Sequence, residues 1–300
     1  MSEQSLAAES ILAAQGPPSS VGVGAGAWKI AKAQPVGTVS LLVLVFFVAL
    51  AIAAPRMATH DPYRTNSGAT YRPPSASAIM GTDNYGRDLF SRVVYGTRYS
   101  ISISFTTVLL ATILAIFVGG VSGFVGGAVD LFVQRLVDAF QAFPALILAI
   151  VTVSVLGPSA TNVVIALTLA TWPGPARVIR SQVLSLKEAQ FVEAARGLGG
   201  SDLRIVLRHV FPNVLPIVLV LASASVASVI IAEATLSFLG LGVPPPKPSW
   251  GSILTNAQQF AQRAPWIGIF PGLAITTAVF AANFLGDAVR DVLDPRLRGS

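Results

Sequence analysis

The chain has 300 residues, of which 53% are hydrophobic and 11% are charged, and its formal net charge at pH 7 is +6. Apolar content this high, gathered into runs near the length of a bilayer crossing, indicates a membrane protein rather than a soluble domain. With no cysteine and only two histidines, the chain excludes disulfides, a Cys/His zinc site and a cysteine nucleophile.

The first apolar run covers residues 36–54 and follows Lys29 and Lys32. It begins too far from Met1, and is too long, to be the apolar part of a signal peptide, so we interpret it as an uncleaved span. The residues before it are mostly Ala, Gly, Ser and Glu without apolar periodicity. They predict a disordered tail over residues 1–35, ahead of a transmembrane domain over 36–300.

Five further apolar runs follow, at about 101–123, 139–157, 161–180, 213–232 and 267–286. A helix rises 1.5 Å per residue, so each run of about 20 residues crosses a hydrocarbon core of roughly 30 Å. The sequence therefore predicts an all-α, polytopic protein with six transmembrane helices and both termini on one side of the membrane.

The distribution of Lys and Arg favours cytoplasmic termini. In that orientation 12 of the basic residues lie inside and eight lie outside, in agreement with the positive-inside rule. The first outer loop, about 55–100, is nevertheless rich in arginine, and the last outer loop covers about 235–266.

Within the first outer loop the sequence predicts a short amphipathic helix. Thr82 or Asp83 would cap it near Tyr85. Three charged residues would then lie on its exposed face and three apolar residues below; these are Arg87, Asp88 and Arg92 above, and Leu89, Val93 and Val94 below.

The segment at about 181–212, between the fourth and fifth spans, is basic and punctuated by glycine. Residues 187–196 form a strong helix pattern, and residues 197–200 supply a break. Ser201 is a plausible N-cap, with Asp202 in the first turn. After it, one apolar stripe is expected on the second helix, with Arg204 and Arg208 on another face; the stripe consists of Leu203, Val206, Leu207 and Val210.

This pattern predicts two short helices folded back on each other at the membrane surface. Two functions remain open on the residues alone. The segment is either an interfacial helix lying on lipid headgroups or a surface that docks a protein.

The same segment resembles the EAA loop of ABC-importer permeases. Glu193-Ala194-Ala195, Gly199 and Pro212 fall at the family spacing, and the variant His209-Val210-Phe211-Pro212-Asn213 is similar to the peptide/nickel subfamily. Blocks at 81–92, 232–242, 248–251 and 286–295 agree with that subfamily. The resemblance covers about residues 36–298 and points to the C-type membrane subunit of a dipeptide/oligopeptide importer.

The resemblance implies a type I importer permease fold in a bacterial cytoplasmic (inner) membrane, in which this loop couples the permease to cytoplasmic ATPases. The residues it assigns to coupling are Glu193, Ala194, Ala195, Gly199, Ser201, Arg204, Arg208 and Pro212. We single out Gly199, where a side chain is expected to prop the turn open. The implied partners are a second homologous permease subunit, two ATPase subunits that bind ATP and Mg²⁺, an extracytoplasmic solute-binding protein and the lipid bilayer, but no nucleic acid.

The sequence contains no motif that predicts a catalytic activity. A P-loop needs a lysine directly after a glycine, and none of the four lysines, at 29, 32, 187 and 247, follows one. No catalytic, metal or cofactor site is expected, and ATP hydrolysis is assigned to partners.

Alternatives in the same family are nickel or another small solute as substrate. A secondary transporter predicts inverted repeats and ionisable groups at the midplane, and a membrane scaffold is a third class.

Two further sets of charged residues are singled out. Glu233, near the end of the fifth span, either lines the pathway or an outer gate, or caps the next turn just past the interface. Arg135 and Asp138, at i and i+3 before the third span, are expected to form an ion pair.

Overall fold

The computed structural model describes residues 34–255 and 257–293. The predicted disordered tail therefore lies, apart from its last two residues, outside the described part. No β-strand occurs in the described ranges, where two isolated bridges join Ser75 to Ala78 and Thr82 to Asp88. The predicted all-α class is confirmed.

The helices in chain order are α1 (Pro35–Met57), α2 (Leu89–Val125), α3 (Gly127–Gln141), α4 (Ala145–Leu156), α5 (Ala160–Thr171), α6 (Pro173–Lys187), α7 (Gln190–Gly197), α8 (Asp202–Ile205), α9 (Phe211–Phe238), α10 (Trp250–Leu254), α11 (Ala257–Phe260) and α12 (Trp266–Leu293). A 3₁₀ turn (Ser67–Ala69) precedes α2, and a π-helical turn (Val206–Val210) joins α8 to α9.

The count of six membrane spans is not confirmed. Within the described residues, four helical segments are long and apolar enough to cross a bilayer: α1, α2, α12 and the continuous segment from α8 to α9. The pair α3 and α4, bent by 86°, adds a fifth if it counts as one span. Pro144 disfavours an uninterrupted helix from α3 into α4. The turn at 157–159 and the break before Pro173 set the other limits. Helices α4 and α5 therefore have 12 residues each, about 18 Å and short of a hydrocarbon core.

The helix α2 is the longest and lies at the centre of the bundle. It packs against α1, α5, α6 and α9, while α12 packs against α1 and α9. Asp88 caps its start by accepting a hydrogen bond from the backbone N–H of Ser91, at 2.8 Å. At its other end Gly126, with φ of 72°, adopts a conformation that side chains disfavour and so ends the helix.

Two glycines on α2 allow α6 to approach it closely. A Cβ at Gly119 would lie 2.3 Å from the carbonyl oxygen of Ala176, and one at Gly123 would lie 2.9 Å from that of Arg180. Small residues four apart are a common way for membrane helices to bring their backbones together. This contact holds α6, and the segment that follows it, against the end of α2.

Candidate functional site

The segment 181–212, which we call the bracket, comprises the end of α6, helices α7 and α8, and the π-helical turn. Val192 on α7 and Ile205 on α8 are fully buried and join a core cluster that also contains Ile179 and Val183 of α6. Burying such side chains stabilises their attachment by about 2 kcal/mol each. The bracket is therefore fixed to the bundle, while Glu193 and Ala194 point outward and are exposed.

The turn between α7 and α8 depends on two glycines for different reasons. Gly199 has φ of +82°, and a Cβ there would meet no atom within 4 Å. The expectation that a side chain would prop the turn open is therefore wrong, because the requirement at Gly199 is for left-handed backbone. The tight position is Gly200, where a Cβ would lie 2.8 Å from the carbonyl oxygen of Ala195.

Two alanine substitutions test whether the turn needs glycine for its backbone conformation or for lack of space around the residue. Gly199→Ala should destabilise the turn by about 1 kcal/mol, since a left-handed conformation disfavours Cβ. Gly197→Ala is the matched control, because Gly197 also faces open space but is helical without positive φ. The measurement is hydrogen exchange of the Gly200 amide, which is bonded to the carbonyl of Ala195. Equal exchange in the two variants would contradict the conformational explanation.

The predicted apolar stripe on the second helix is confirmed only in part. Val206, Leu207 and Val210 line one groove together, and Val210 is buried. Leu203 is 70% exposed and Leu207 is 61% exposed, whereas Ile205, outside the stripe, is fully buried. Residues 206–210 form a π-helical turn, in which the backbone N–H of Phe211 donates to the carbonyl of Val206. Its i to i+5 bonding departs from the 3.6 residues per turn on which the second half of the stripe was drawn.

A groove of about 490 Å³ lies between α7 and α8. It brings together four of the predicted coupling residues, Ala194, Ala195, Arg204 and Arg208. Sequence reasoning missed its apolar rim: Leu198 is 89% exposed, and Phe191 also lines the groove. Exposed apolar side chains on a loop outside any spanning helix are a signal of an interaction surface.

The remaining predicted coupling residues lie outside the groove. Glu193 and Gly199 are exposed. Ser201 occupies the N-cap position of α8, but its side chain makes no capping hydrogen bond. Pro212 stands in the first turn of α9 and is exposed.

A charged network that sequence reasoning missed ties α3 to α6 just before the bracket. Arg180 donates from Nε to Asp130 Oδ1 at 2.6 Å and from Nη2 to Oδ2 at 2.5 Å. The hydroxyl of Ser122, on α2, also donates to Asp130. Such a bidentate pair, with a third donor on the carboxylate, has strong geometric specificity. Lys187 adds a bond from Nζ to the carbonyl of Phe124 at 2.6 Å, at the end of α2.

The predicted ion pair between Arg135 and Asp138 is confirmed, at 3.7 Å. It is not the principal contact of Asp138, however. Arg177 on α6 lies 2.5 Å from the same carboxylate, so this position also joins α3 to α6.

The first outer loop differs from its prediction. Helix α2 begins at Leu89 with Asp88 as its cap, not near Tyr85. Asp88 and Arg92, expected on an exposed face, are buried. The cause is the folding of residues 59–66 over them: Thr59 donates to Asp88 Oδ2, and Arg92 donates to the carbonyl of Pro62 at 3.0 Å.

Glu233 is fully buried inside the bundle, so it does not lie at a solvated interface. Its Oε1 accepts a hydrogen bond from the hydroxyl of Ser237 at 2.8 Å. Its Oε2 is buried without a hydrogen-bond partner among the described residues. Within those residues no group of three or more His, Cys, Asp or Glu side chains is placed to hold a metal ion.

Two family profiles match most of the chain. A profile described as the binding-protein-dependent transport system inner membrane component matches residues 90–299. A second, described as the N-terminal TM domain of oligopeptide transport permease C, matches residues 24–74.

Several curated relatives match over nearly their whole length. A putative peptide transport system permease protein of Brucella suis is 44% identical over 260 residues, covering 87% of this chain and 88% of the relative. The dipeptide transport system permease protein of Alkalihalophilus pseudofirmus is 38% identical, covering 91% and 90%. The oligopeptide transport system permease protein of Bacillus subtilis is 36% identical, covering 90% of both.

Among solved structures, a chain of the MetNI methionine ABC transporter in an inward facing conformation has a TM-score of 0.56. It is 17% identical, and the match covers 69% of this chain and 98% of that one. At this identity the likeness concerns the fold alone, and it confirms the expected importer permease fold.

Proposed function

The chain belongs to the family of binding-protein-dependent transport system inner membrane components, and on that premise we propose that it is the membrane-spanning permease subunit of an ATP-driven importer of dipeptides or oligopeptides. It would form half of the translocation pathway beside a second, homologous permease. The peptide substrate is supported by the names of relatives that match over most of the chain.

The observation that carries the coupling role is the apolar groove of the bracket. The bracket would dock into a cleft on an ATPase subunit, with its groove against the partner's surface, and the small side chains of Ala194 and Ala195 would allow a close approach. Leu198 and Phe191 would lose exposed apolar surface, and the arginines at the groove would complement acidic groups on the partner. ATP and Mg²⁺ would be bound by the ATPases, since the chain has no P-loop pattern.

Motion of the bracket would reach the spans through rigid contacts. Val192 and Ile205 seat the bracket on α6, and Asp130 with Arg180 ties α6 to α3. The glycines of α2 keep α6 in backbone contact with α2. A rigid-body shift of the bracket on ATP binding would therefore carry α2, α3 and α6 with it, as alternating access requires.

The balance of basic residues supports cytoplasmic termini and a cytoplasmic bracket in a bacterial inner membrane. A solute-binding protein would then deliver substrate at the opposite end. At that end we assign Glu233 to the outer gate, because an ionisable side chain that is fully buried in a spanning helix is costly and is typical of a functional position. The gate would change its packing around Glu233 between the two states of the importer.

The alternatives differ in substrate or in energy source. Nickel complexes or other small solutes remain candidates within the family. A secondary transporter would carry ionisable side chains near the midplane of its spans. The long middle of α2, from Ser100 to Val125, has no charged residue.

The test is transport by the complex that purifies with this chain in mild detergent. We expect mass spectrometry to find a second permease and two ATPases, and liposomes containing them to accumulate a labelled dipeptide only with ATP and the binding protein. Accumulation by this chain alone without ATP would overturn the proposal in favour of a secondary transporter. Uptake of nickel in place of the dipeptide would contradict the proposed substrate but would leave the proposed coupling to ATPases in place.

A further inference from the structure

A second cavity, of about 350 Å³, lies between the start of α2 and residues 237–255. We call it the cationic cavity, because Arg87, Arg92 and Lys247 all line it. Arg92 is more than 30 residues from the bracket end of α2, which is over about 45 Å along a helix. The cationic cavity therefore opens at the end of the bundle opposite the bracket.

The carboxylate that faces these cations does not balance their charge. Asp83 Oδ2 lies 2.7 Å from Arg87 Nε and 3.4 Å from Arg92 Nε, so one carboxylate serves two guanidinium groups. Lys247 forms no salt bridge with any described carboxylate; its ammonium stands 6.0 Å from the ring centroid of Tyr99. The cavity thus carries an excess of positive charge that favours an anion.

Arg92 is the most constrained of the three cations. Its side chain is 6% exposed, and its Nε is buried without a hydrogen-bond partner among the described residues. Its nearest acceptor is Asp83 Oδ2, 3.4 Å away and without hydrogen-bond geometry, so an incoming acceptor would supply the hydrogen bond that this buried donor does not make. Arg87 is held in place by Asp83 and by the face of Tyr85, 4.5 Å away, so the cationic wall is formed before a ligand arrives.

The rest of the cationic cavity suits a small solute. Ser252 and Thr255 add hydroxyl groups, and Val243 with Pro245 adds apolar wall. Its volume lies at the lower end of the range of small-molecule sites. Ser237 also lines it, and the hydroxyl of Ser237 donates to Glu233, so a ligand would sit one hydrogen bond from the buried carboxylate.

We propose that the cationic cavity binds the carboxylate of a small solute, which for a peptide is its C-terminal carboxylate. This deepens the proposed function, on which the identity of the solute as a peptide rests. The site would orient a peptide by its carboxyl end and would accept different side chains. A carboxylate with guanidinium, ammonium and hydroxyl donors around it forms charge-assisted hydrogen bonds, the strong class in proteins.

The test compares alanyl-alanine with alanyl-alanine amide, which differ only at the carboxyl end. Binding to the purified permease complex, without binding protein, is measured by saturation-transfer NMR. We expect the amide to bind about tenfold more weakly. Lys247→Gln should weaken the binding of alanyl-alanine at least about threefold and leave the binding of the amide unchanged. Arg263→Gln, which removes the same charge from an exposed residue over Tyr71 outside the cavity, should change neither.

Equal binding of the two compounds, or an equal effect of Lys247→Gln on both, would overturn the inference. So would cross-linking of Lys247 to an acidic residue of the binding protein together with no binding of free alanyl-alanine. Failure of the inference can be distinguished from failure of the proposed function. A complex that binds alanyl-alanine more tightly than its amide but transports neither would support the inference and contradict the proposed importer. A complex that binds and imports both compounds equally well would contradict the inference and support the importer.

Discussion

Replacement of Leu198 with glutamate should separate the permease from its ATPase partners and abolish ATP-driven uptake. Leu198 is 89% exposed at the turn of the bracket, so in the docked complex its burial would contribute about 2 kcal/mol, or roughly thirtyfold in affinity. A charged side chain loses that contribution and adds a desolvation cost. The measurement is the amount of ATPase that co-purifies with the variant, together with dipeptide uptake in liposomes.

The matched control is Gln190→Glu. Gln190 is exposed in the first turn of α7, so this change adds the same negative charge to the bracket without removing an apolar side chain, at a helix end that favours acids. It should retain the ATPases and uptake. Leu198→Met should behave as the parent. If Leu198→Glu inserts normally and still retains its ATPases, the bracket is an interfacial helix and not a docking surface.

Removal of the Asp130 carboxylate should destabilise the chain by about 2 kcal/mol, because it leaves Arg180 without its bidentate partner in a partly buried position. The side chains of Asp130 and Arg180 are 12% and 26% exposed. The measurement is the free energy of unfolding of Asp130→Ala in an SDS titration of the purified chain. The double variant Asp130→Ala with Arg180→Leu should regain part of the loss, since it removes the uncompensated charge.

Arg135→Ala is the control for that experiment. Its pair with Asp138 is exposed, with side chains at 84% and 50%, and such pairs contribute about 0–1 kcal/mol. A loss for Asp130→Ala no larger than that for Arg135→Ala would show that the pair between Asp130 and Arg180 does not hold α3 to α6.

The sequence predicted the parts of this protein that depend on local composition. Apolar runs predicted the all-α class, and the glycines at 197–200 predicted the turn of the bracket. The spacing of Glu193, Gly199 and Pro212 led to the family. These features need only the chain's own hydropathy and backbone preferences, so no knowledge of packing was required.

Several details failed because the prediction assumed regular helices. Two apolar runs were counted as spans, but Pro144, the 157–159 turn and the break before Pro173 limit α4 and α5 to 12 residues each. The stripe through Leu203 and Leu207 assumed 3.6 residues per turn. The π-helical turn changes that repeat, and it arises where the chain passes from the bracket into α9.

What the sequence by itself determined was the class, the family and the position of the bracket, since all three follow from the order of apolar, glycine and charged residues along the chain. Only the tertiary structure decided which charges are buried. Arg92 was expected in solvent, but residues 59–66 cover it. Asp130 and Arg180 are 50 positions apart in the sequence. They meet because Gly119 and Gly123 let α6 pack closely against α2. Burial is a property of neighbours that are distant in sequence, and for that reason the groove rim, the charged network and the cationic cavity became visible only in the folded chain.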